Sequence, residues 1–354
     1  MARASSLPSR LADAGVRAEE RILALLDDEL ARWGAVDHDL EAPLRSLRDL
    51  STAGKRFRPA FCYWAFVGAG GDPADPTVID ACAAIEMVHA CALVHDDVMD
   101  GASTRRGAPS VHRQFVDRHQ ATSSRGEARR FGEGAAILVG DFAFVYADML
   151  FASAAANRDA RAVYDELRLE LCVGQFLDLS GAAGSRRDRA QADRIEVYKS
   201  GKYTVERPLH LGAALAGRLD DLSEPLTAFG ISLGRAFQMR DDVLGVLGDP
   251  ELTGKPVGGD LREGKLTPLL AAAIAAADDD QVARLERVGD PALSDEDVAA
   301  LRDLIVELGA VDEVEREIKR LTDEAVVALQ RASITDDARA ALGELAAFVA
   351  WRDA

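Results

Sequence analysis

Apolar side chains recur at intervals of three to four residues through positions 22–33, 78–94, 135–156, 209–219 and 228–244. That period marks helices that bury one face. No long run alternates apolar and polar positions as a half-buried strand does. Gly and Pro collect between the apolar segments, at 68–76 and 248–259, where they punctuate helices. The pattern predicts an all-α chain folded as a single large helical bundle, one domain over 1–354. Two polar stretches, 117–130 and 183–193, read as exposed connectors.

Composition agrees with a packed core and narrows the possible ligands. Hydrophobic residues make up 48% against 29% charged, with only 12 prolines, which is globular rather than disordered composition. The 60 acidic and 42 basic residues leave a net charge of -18, so no diffuse attraction to nucleic acid or to an anionic membrane is expected. Any anionic ligand must be held by a local basic cluster. Cys62, Cys82, Cys91 and Cys172 show no CxxC spacing and read as buried, reduced thiols of a cytoplasmic protein. The stretch 1–23 is interrupted by Arg3, Arg10, Asp13 and Arg17, unlike a signal peptide. No run approaches the roughly 20 uninterrupted apolar residues of a membrane span. The acidic groups Asp278 to Asp280 and Asp295 to Asp297 read as solvated helix surface.

The chemistry concentrates in two aspartate clusters. His95-Asp96-Asp97-Val98-Met99-Asp100 ends a strongly apolar helix, and the four-residue spacing puts Asp96 and Asp100 on one face. A helix C-terminus disfavours negative charge, so three acids there repel one another unless a cation joins them. Gln238-Met239-Arg240-Asp241-Asp242 closes a second apolar helix in the same way. Two such clusters suggest facing carboxylate walls, whose hard oxygen donors suit Mg²⁺ shared with a diphosphate.

Matching cations lie close by in sequence. Gly54-Lys55-Arg56-Phe57-Arg58-Pro59 sets basic side chains beside a Gly turn, and Arg105-Arg106-Gly107 follows the first aspartate cluster. Lys55, Arg58, Arg105 and Arg106 are candidates to hold a second diphosphate without metal. His89 lies seven residues before Asp96, two helical turns down on nearly the same face, where it can donate to an anion.

Together these motifs resemble the trans-isoprenyl diphosphate synthase (polyprenyl synthetase) family, in the family's order, over about 44–270. Gly54 to Pro59 is similar to its GKRxRP motif. Glu86-Met87-Val88-His89 resembles the stretch before its first aspartate-rich motif, and Asp96-Asp97-Val98-Met99-Asp100 resembles that DDxxD motif. Gly174-Gln175 is similar to a mid-chain Gly-Gln pair, Lys199-Ser200 to a Lys-Thr pair, and Phe237-Gln238 with Asp241-Asp242 to the start of the second aspartate-rich motif. One departure stands out: the third acidic position of that motif is Gly245, with Asp249 four residues later.

The resemblance implies a helical bundle with a deep central cavity, commonly a homodimer, and a reaction between isopentenyl diphosphate and an allylic diphosphate. In that reading Asp96, Asp100 and Asp241 hold Mg²⁺. Lys199 and Lys255 neutralise the departing diphosphate, and Arg105 helps grip the allylic diphosphate. Lys55, Arg58, His89 and Arg106 bind isopentenyl diphosphate, while Phe237, Gln238 and Ser200 stabilise the cation or its partner. Relatives that stop at farnesyl diphosphate commonly carry a bulky aromatic four or five residues before the first aspartate. Here Ala92 and Cys91 are small, with Met87 and Val88 a turn deeper, so a longer, geranylgeranyl product is expected. A terpene cyclase would leave the basic cluster without a task, and a non-catalytic subunit would not need both acid clusters.

Overall fold

The computed structural model describes residues 7–52, 54–154, 156–183, 189–248 and 258–352. The helices in chain order are α1 (Ser9–Gly34), α2 (Glu41–Leu50), α3 (Phe57–Gly68), α4 (Pro76–Asp100), α5 (Val111–Ala121), α6 (Ala128–Ser153), α7 (Arg158–Ala183) and α8 (Arg189–Ile195). A π-helical segment, Glu196–Glu206, leads into α9 (Arg207–Leu215) and α10 (Leu219–Leu247). Then come α11 (Gly259–Glu263), α12 (Pro268–Ala276), α13 (Asp279–Leu285), α14 (Asp295–Glu307), α15 (Ala310–Leu329) and α16 (Asp336–Trp351). Among the described residues the only strands are β1 (Thr104–Arg105) and β2 (Ala108–Pro109), a two-residue antiparallel hairpin. The chain is all-α, as the apolar period predicts.

Contacts group the described residues into two compact units. One comprises those of Ser6–Arg161 and Leu211–Arg218, and the other those of Ala162–His210 and Leu219–Ala354. In the first, α4 packs mainly on α6, with α1 and α3 against it. Its interior holds Ile22, Phe61, Ile85, Met87 and Leu150, all fully buried. Helix α4 starts on Asp75, which accepts from the Thr77 amide ahead of Pro76 at the first turn, and stops at Gly101 in the left-handed conformation (φ 66°). In the second unit α10 packs on α15, the π segment and α16. Met239, Leu269, Leu304, Ile318, Leu321 and Ala350 form its core.

Several sequence expectations change here. Helix α5 runs to Ala121 and α6 begins at Ala128, so the connector expected over 117–130 is far shorter; charged residues of α5 and α6 had hidden the helical period. Likewise 189–193, expected as connector, is the first part of α8. Asp278 and Ser294 close capping boxes with Gln281 and Asp297, so this acidic region begins helices as well as coating them. Cys172 is exposed rather than buried, and the other three cysteines are buried. Two helices, α4 and α6, are long and apolar enough to cross a membrane by length and composition; 72% of the α4 window and 44% of the α6 window is buried.

Candidate active site

The C-terminal end of α4 sorts its three aspartates by helical angle. Asp97 is turned about 100° from Asp96 and is buried, accepting from Arg105 Nε at 2.9 Å and from Nη2 as well. Burial pushes its carboxyl above the usual range against the pull of Arg105. Arg105 Nη2 also reaches Asp96 at 3.3 Å. Asp96 and Asp100, one turn apart, are half-buried. Arg105 therefore ties down Asp96 and Asp97 at the helix end.

Arg105 and Arg106 sit on the β1–β2 hairpin. Its tip is Arg106 (φ 53°) and Gly107 (φ 77°), and two successive positive φ angles suit a tight two-residue turn. The turn delivers Arg106 to a small recess that is also lined by Ser51, Arg56, Glu86, His89 and Leu93. Gly54 (φ 126°) adjoins it, with the Arg106 Nη2 close by, and its backbone angle calls for glycine. Burial, then Arg58, Arg106, Arg56 and Arg105, hold His89 well below the usual imidazole range, so it is neutral near pH 7. Burial likewise lowers Arg106, with Arg56, Arg105 and Arg58 adding to the effect and Glu86 opposing it. Arg56 and Arg106 in its lining outnumber the single carboxylate of Glu86, so the recess is net positive. It gathers His89 and Arg106, with Arg58 close enough to act on both; Lys55 is half-buried in the adjoining turn and does not line it.

In the other unit the π segment carries Lys199, Ser200 and Lys202. Gly174 explains its place in the mid-chain pair, because a Cβ there would come 2.3 Å from the Lys199 amide nitrogen. A Cβ at Gly234 would likewise come 2.6 Å from Gly201 Cα. Wide π turns are frequent at functional sites. Lys199 pairs with Asp178, while Lys202 and Arg207 both pair with the buried Glu170. Ser200 is half-buried in the same segment.

At the end of α10, Gln238 Nε2 donates to Asp242 Oδ1 at 2.8 Å, and Phe237 lies under the Arg352 guanidinium at 4.3 Å. Arg352, buried near the chain's end, also pairs with Asp241. Arg240 is fully buried and engaged within the protein. It donates to Ala350 O at 2.8 Å and to both Glu315 oxygens at 2.7 and 2.6 Å, fastening α16 and α15 to α10. Asp242 is buried with its Oδ2 accepting no hydrogen bond, and desolvation, then Asp260, pushes its carboxyl well above the usual range. Glu196, also buried, is pushed up by desolvation and by Asp242. The departure at Gly245 has a spatial counterpart: a Cβ there would lie 2.2 Å from Asp260 Oδ2. A carboxylate from α11 thus occupies the space where a side chain at 245 would begin. An under-satisfied, oxygen-only donor set of this kind fits a hard divalent cation.

Lys255 and Asp249 lie outside the described residues. Four residues that these contacts bring forward, Arg56, Glu86, Asp260 and Arg352, are not among the sequence-predicted site residues. Arg56 and Glu86 lie within motifs quoted for other residues. Asp260 and Arg352 reach Gly245 and Asp241 across 15 and 111 positions, which no local spacing encodes.

Residues 40–305 match the family model described as Polyprenyl synthetase. A short chain isoprenyl diphosphate synthase of Methanothermobacter thermautotrophicus is 32% identical over 340 residues, 92% of this chain and 95% of its own. A (2E,6E)-farnesyl diphosphate synthase of Mycobacterium bovis is 31% identical over 315 residues, 86% of this chain and 81% of its own. Among solved structures, a geranylgeranyl pyrophosphate synthase from Corynebacterium glutamicum, complexed with isoprenyl diphosphate and magnesium, superposes with a TM-score of 0.87 at 36% identity. That match covers 95% of this chain and 99% of the other. The chain belongs to the polyprenyl synthetase family. It is a trans-prenyltransferase, an enzyme that elongates isoprenyl diphosphates.

Proposed function

We propose that the enzyme joins an allylic diphosphate to isopentenyl diphosphate and makes a trans-prenyl diphosphate of geranylgeranyl length. The carbon–oxygen bond of the allylic substrate breaks, its C1 bonds to C4 of isopentenyl diphosphate, a proton leaves C2, and inorganic diphosphate is released. One observation carries this reading: α4 bears an acid cluster at its end and, two turns earlier, His89 in a basic recess. Two anion-binding places of opposite chemistry on one helix suit two diphosphate substrates, whereas a cyclase needs only one.

Asp96, Asp100 and Asp241 would hold Mg²⁺, which would supply positive charge to the departing diphosphate. Lys199 and Lys255 add charge at the same group, and Arg105 grips it once the substrate displaces part of its hold on the aspartates. His89, Arg58, Arg106 and Lys55 bind and orient isopentenyl diphosphate so that its double bond faces the reacting carbon. The neutral His89 ring donates one hydrogen bond without adding to the repulsion among the arginines. Phe237, Gln238 and Ser200 face the cation or its diphosphate partner. The released diphosphate accepts the proton. The carboxylate of Asp260 fills in for the acid missing at Gly245.

We propose that both units act as one synthase domain and that the enzyme is a cytoplasmic homodimer. The surface of α6 supports the dimer: Phe131, Leu138, Val145 and Met149 recur at helical spacing and are 49%, 57%, 56% and 41% exposed. Apolar stripes of this kind mark interaction surfaces. Light scattering should give the mass of two chains, and a monomer mass would contradict the dimer.

Replacing Arg58 by alanine tests the assignment of the basic recess. Loss of one charge-assisted contact, about 1.5–3 kcal/mol, should raise KM for isopentenyl diphosphate roughly 10- to 150-fold. KM for the allylic primer should stay near its original value. An equal rise for both substrates would overturn the assignment.

A further inference from the structure

Arg56 stands in the basic recess in an unusual way. It caps α3 in the left-handed conformation (φ 54°, ψ 40°), which a residue with a Cβ adopts only against a steric cost. Both terminal nitrogens of its guanidinium are engaged, Nη1 donating to Glu86 Oε2 at 2.9 Å and Nη2 to Glu19 Oε2 at 3.0 Å and to Ser51 O, while Nε is buried without a partner. Gly15 of α1 makes room for it, since a Cβ there would lie 2.5 Å from the Arg56 Cβ. Glu86 is 4% exposed, lines the same recess as His89 and Arg106, and its Oε1 is buried with no hydrogen-bond partner.

A buried carboxylate in the wall of a diphosphate pocket opposes the ligand unless a fixed cation cancels it. We propose that Arg56 is a positioning residue: the counter-ion that cancels Glu86 and fixes the turn carrying Lys55 and Arg58, without itself binding the diphosphate. This deepens the assignment of the recess to isopentenyl diphosphate and rests on it. The physical asymmetry is that breaking a buried ion pair leaves a naked charge, whereas removing both partners leaves none.

The test is a double-mutant cycle read as KM for each substrate, with thermal melting followed alongside. Arg56→Met should raise KM for isopentenyl diphosphate about tenfold and leave KM for the allylic primer unchanged. Arg56→Lys, which keeps the charge, should restore part of the loss. Arg56→Met with Glu86→Gln should return KM to within roughly threefold of the original enzyme, although Arg56 is absent. A change in stability alone does not alter KM, so recovery separates charge cancellation from general folding effects.

A double variant as impaired as Arg56→Met would show that Arg56 grips the diphosphate directly and would overturn the proposal. If Arg56→Met does not fold, the double variant alone decides: a tenfold rise in its KM is equally fatal. Arg58→Ala, measured in parallel, keeps the two failures apart. An Arg58 effect with no Arg56 effect rejects the counter-ion role alone, whereas no effect at either position rejects the recess as the isopentenyl site.

Discussion

Changing Asp96 to alanine should cut turnover by about 10²- to 10³-fold, the size of effect seen when one group that stabilises developing charge is removed. The melting temperature should hold or rise slightly. Asp96 shares a helix C-terminus with Asp97 and Asp100, where the macrodipole already disfavours carboxylates. Arg105 keeps its two contacts with Asp97 when Asp96 is gone, so no cation is orphaned. Asp241→Ala should cost as much activity but behave differently in a melt. Its carboxylate accepts from Arg352, which is buried and left with the Phe237 and Val349 carbonyls once Asp241 is removed. That variant should lose roughly 1–3 kcal/mol of stability. Near-normal turnover of either variant with Mg²⁺ would contradict the assignment of these acids to the metal.

Product length should shift when the helix beneath Asp96 is filled. Each helical turn descends about 5.4 Å, on the order of one isoprene unit, so residues one turn down set a shorter limit than those two turns down. Ala92 is small and half-buried; Met87 and Val88 are fully buried a turn deeper. Ala92→Phe should move the main product from geranylgeranyl to farnesyl diphosphate while turnover persists. Met87→Ala should allow a longer product. Cys91→Phe is the less clean variant, because Cys91 Sγ lies 3.7 Å from His95 Nδ1 and His95 Nε2 lies 3.0 Å from Ile137 O. A new ring there meets a side chain that is already fixed. An unchanged product distribution from active Ala92→Phe enzyme would assign the limit to another helix.

The apolar period at 78–94 and 228–244 is enough to find α4 and α10, because both bury many apolar side chains, and α4 carries capping signals at both ends. Asp96 and Asp100 are legible for a related reason: helical spacing alone puts them on one face, and it turns Asp97 away toward Arg105. The π segment is not legible, since no local spacing marks it and the glycines that approach its backbone, Gly174 and Gly234, lie on other helices. Nor is the role of Arg240, which reads as part of an acid motif but is consumed by Glu315 and Ala350. Long-range pairs such as Arg352 with Asp241 and Asp260 with Gly245 depend on tertiary packing, and Arg56 depends on a left-handed turn that its own residue type disfavours.

Chain elongation is tested most directly by incubating the purified protein with Mg²⁺, radiolabelled isopentenyl diphosphate and an allylic primer, then resolving products by length. Label should appear in a linear prenyl diphosphate of geranylgeranyl length, and chelation of the metal should abolish it. Failure to transfer label with Mg²⁺ present, or a cyclic hydrocarbon formed from the primer without isopentenyl diphosphate, would contradict the assigned reaction.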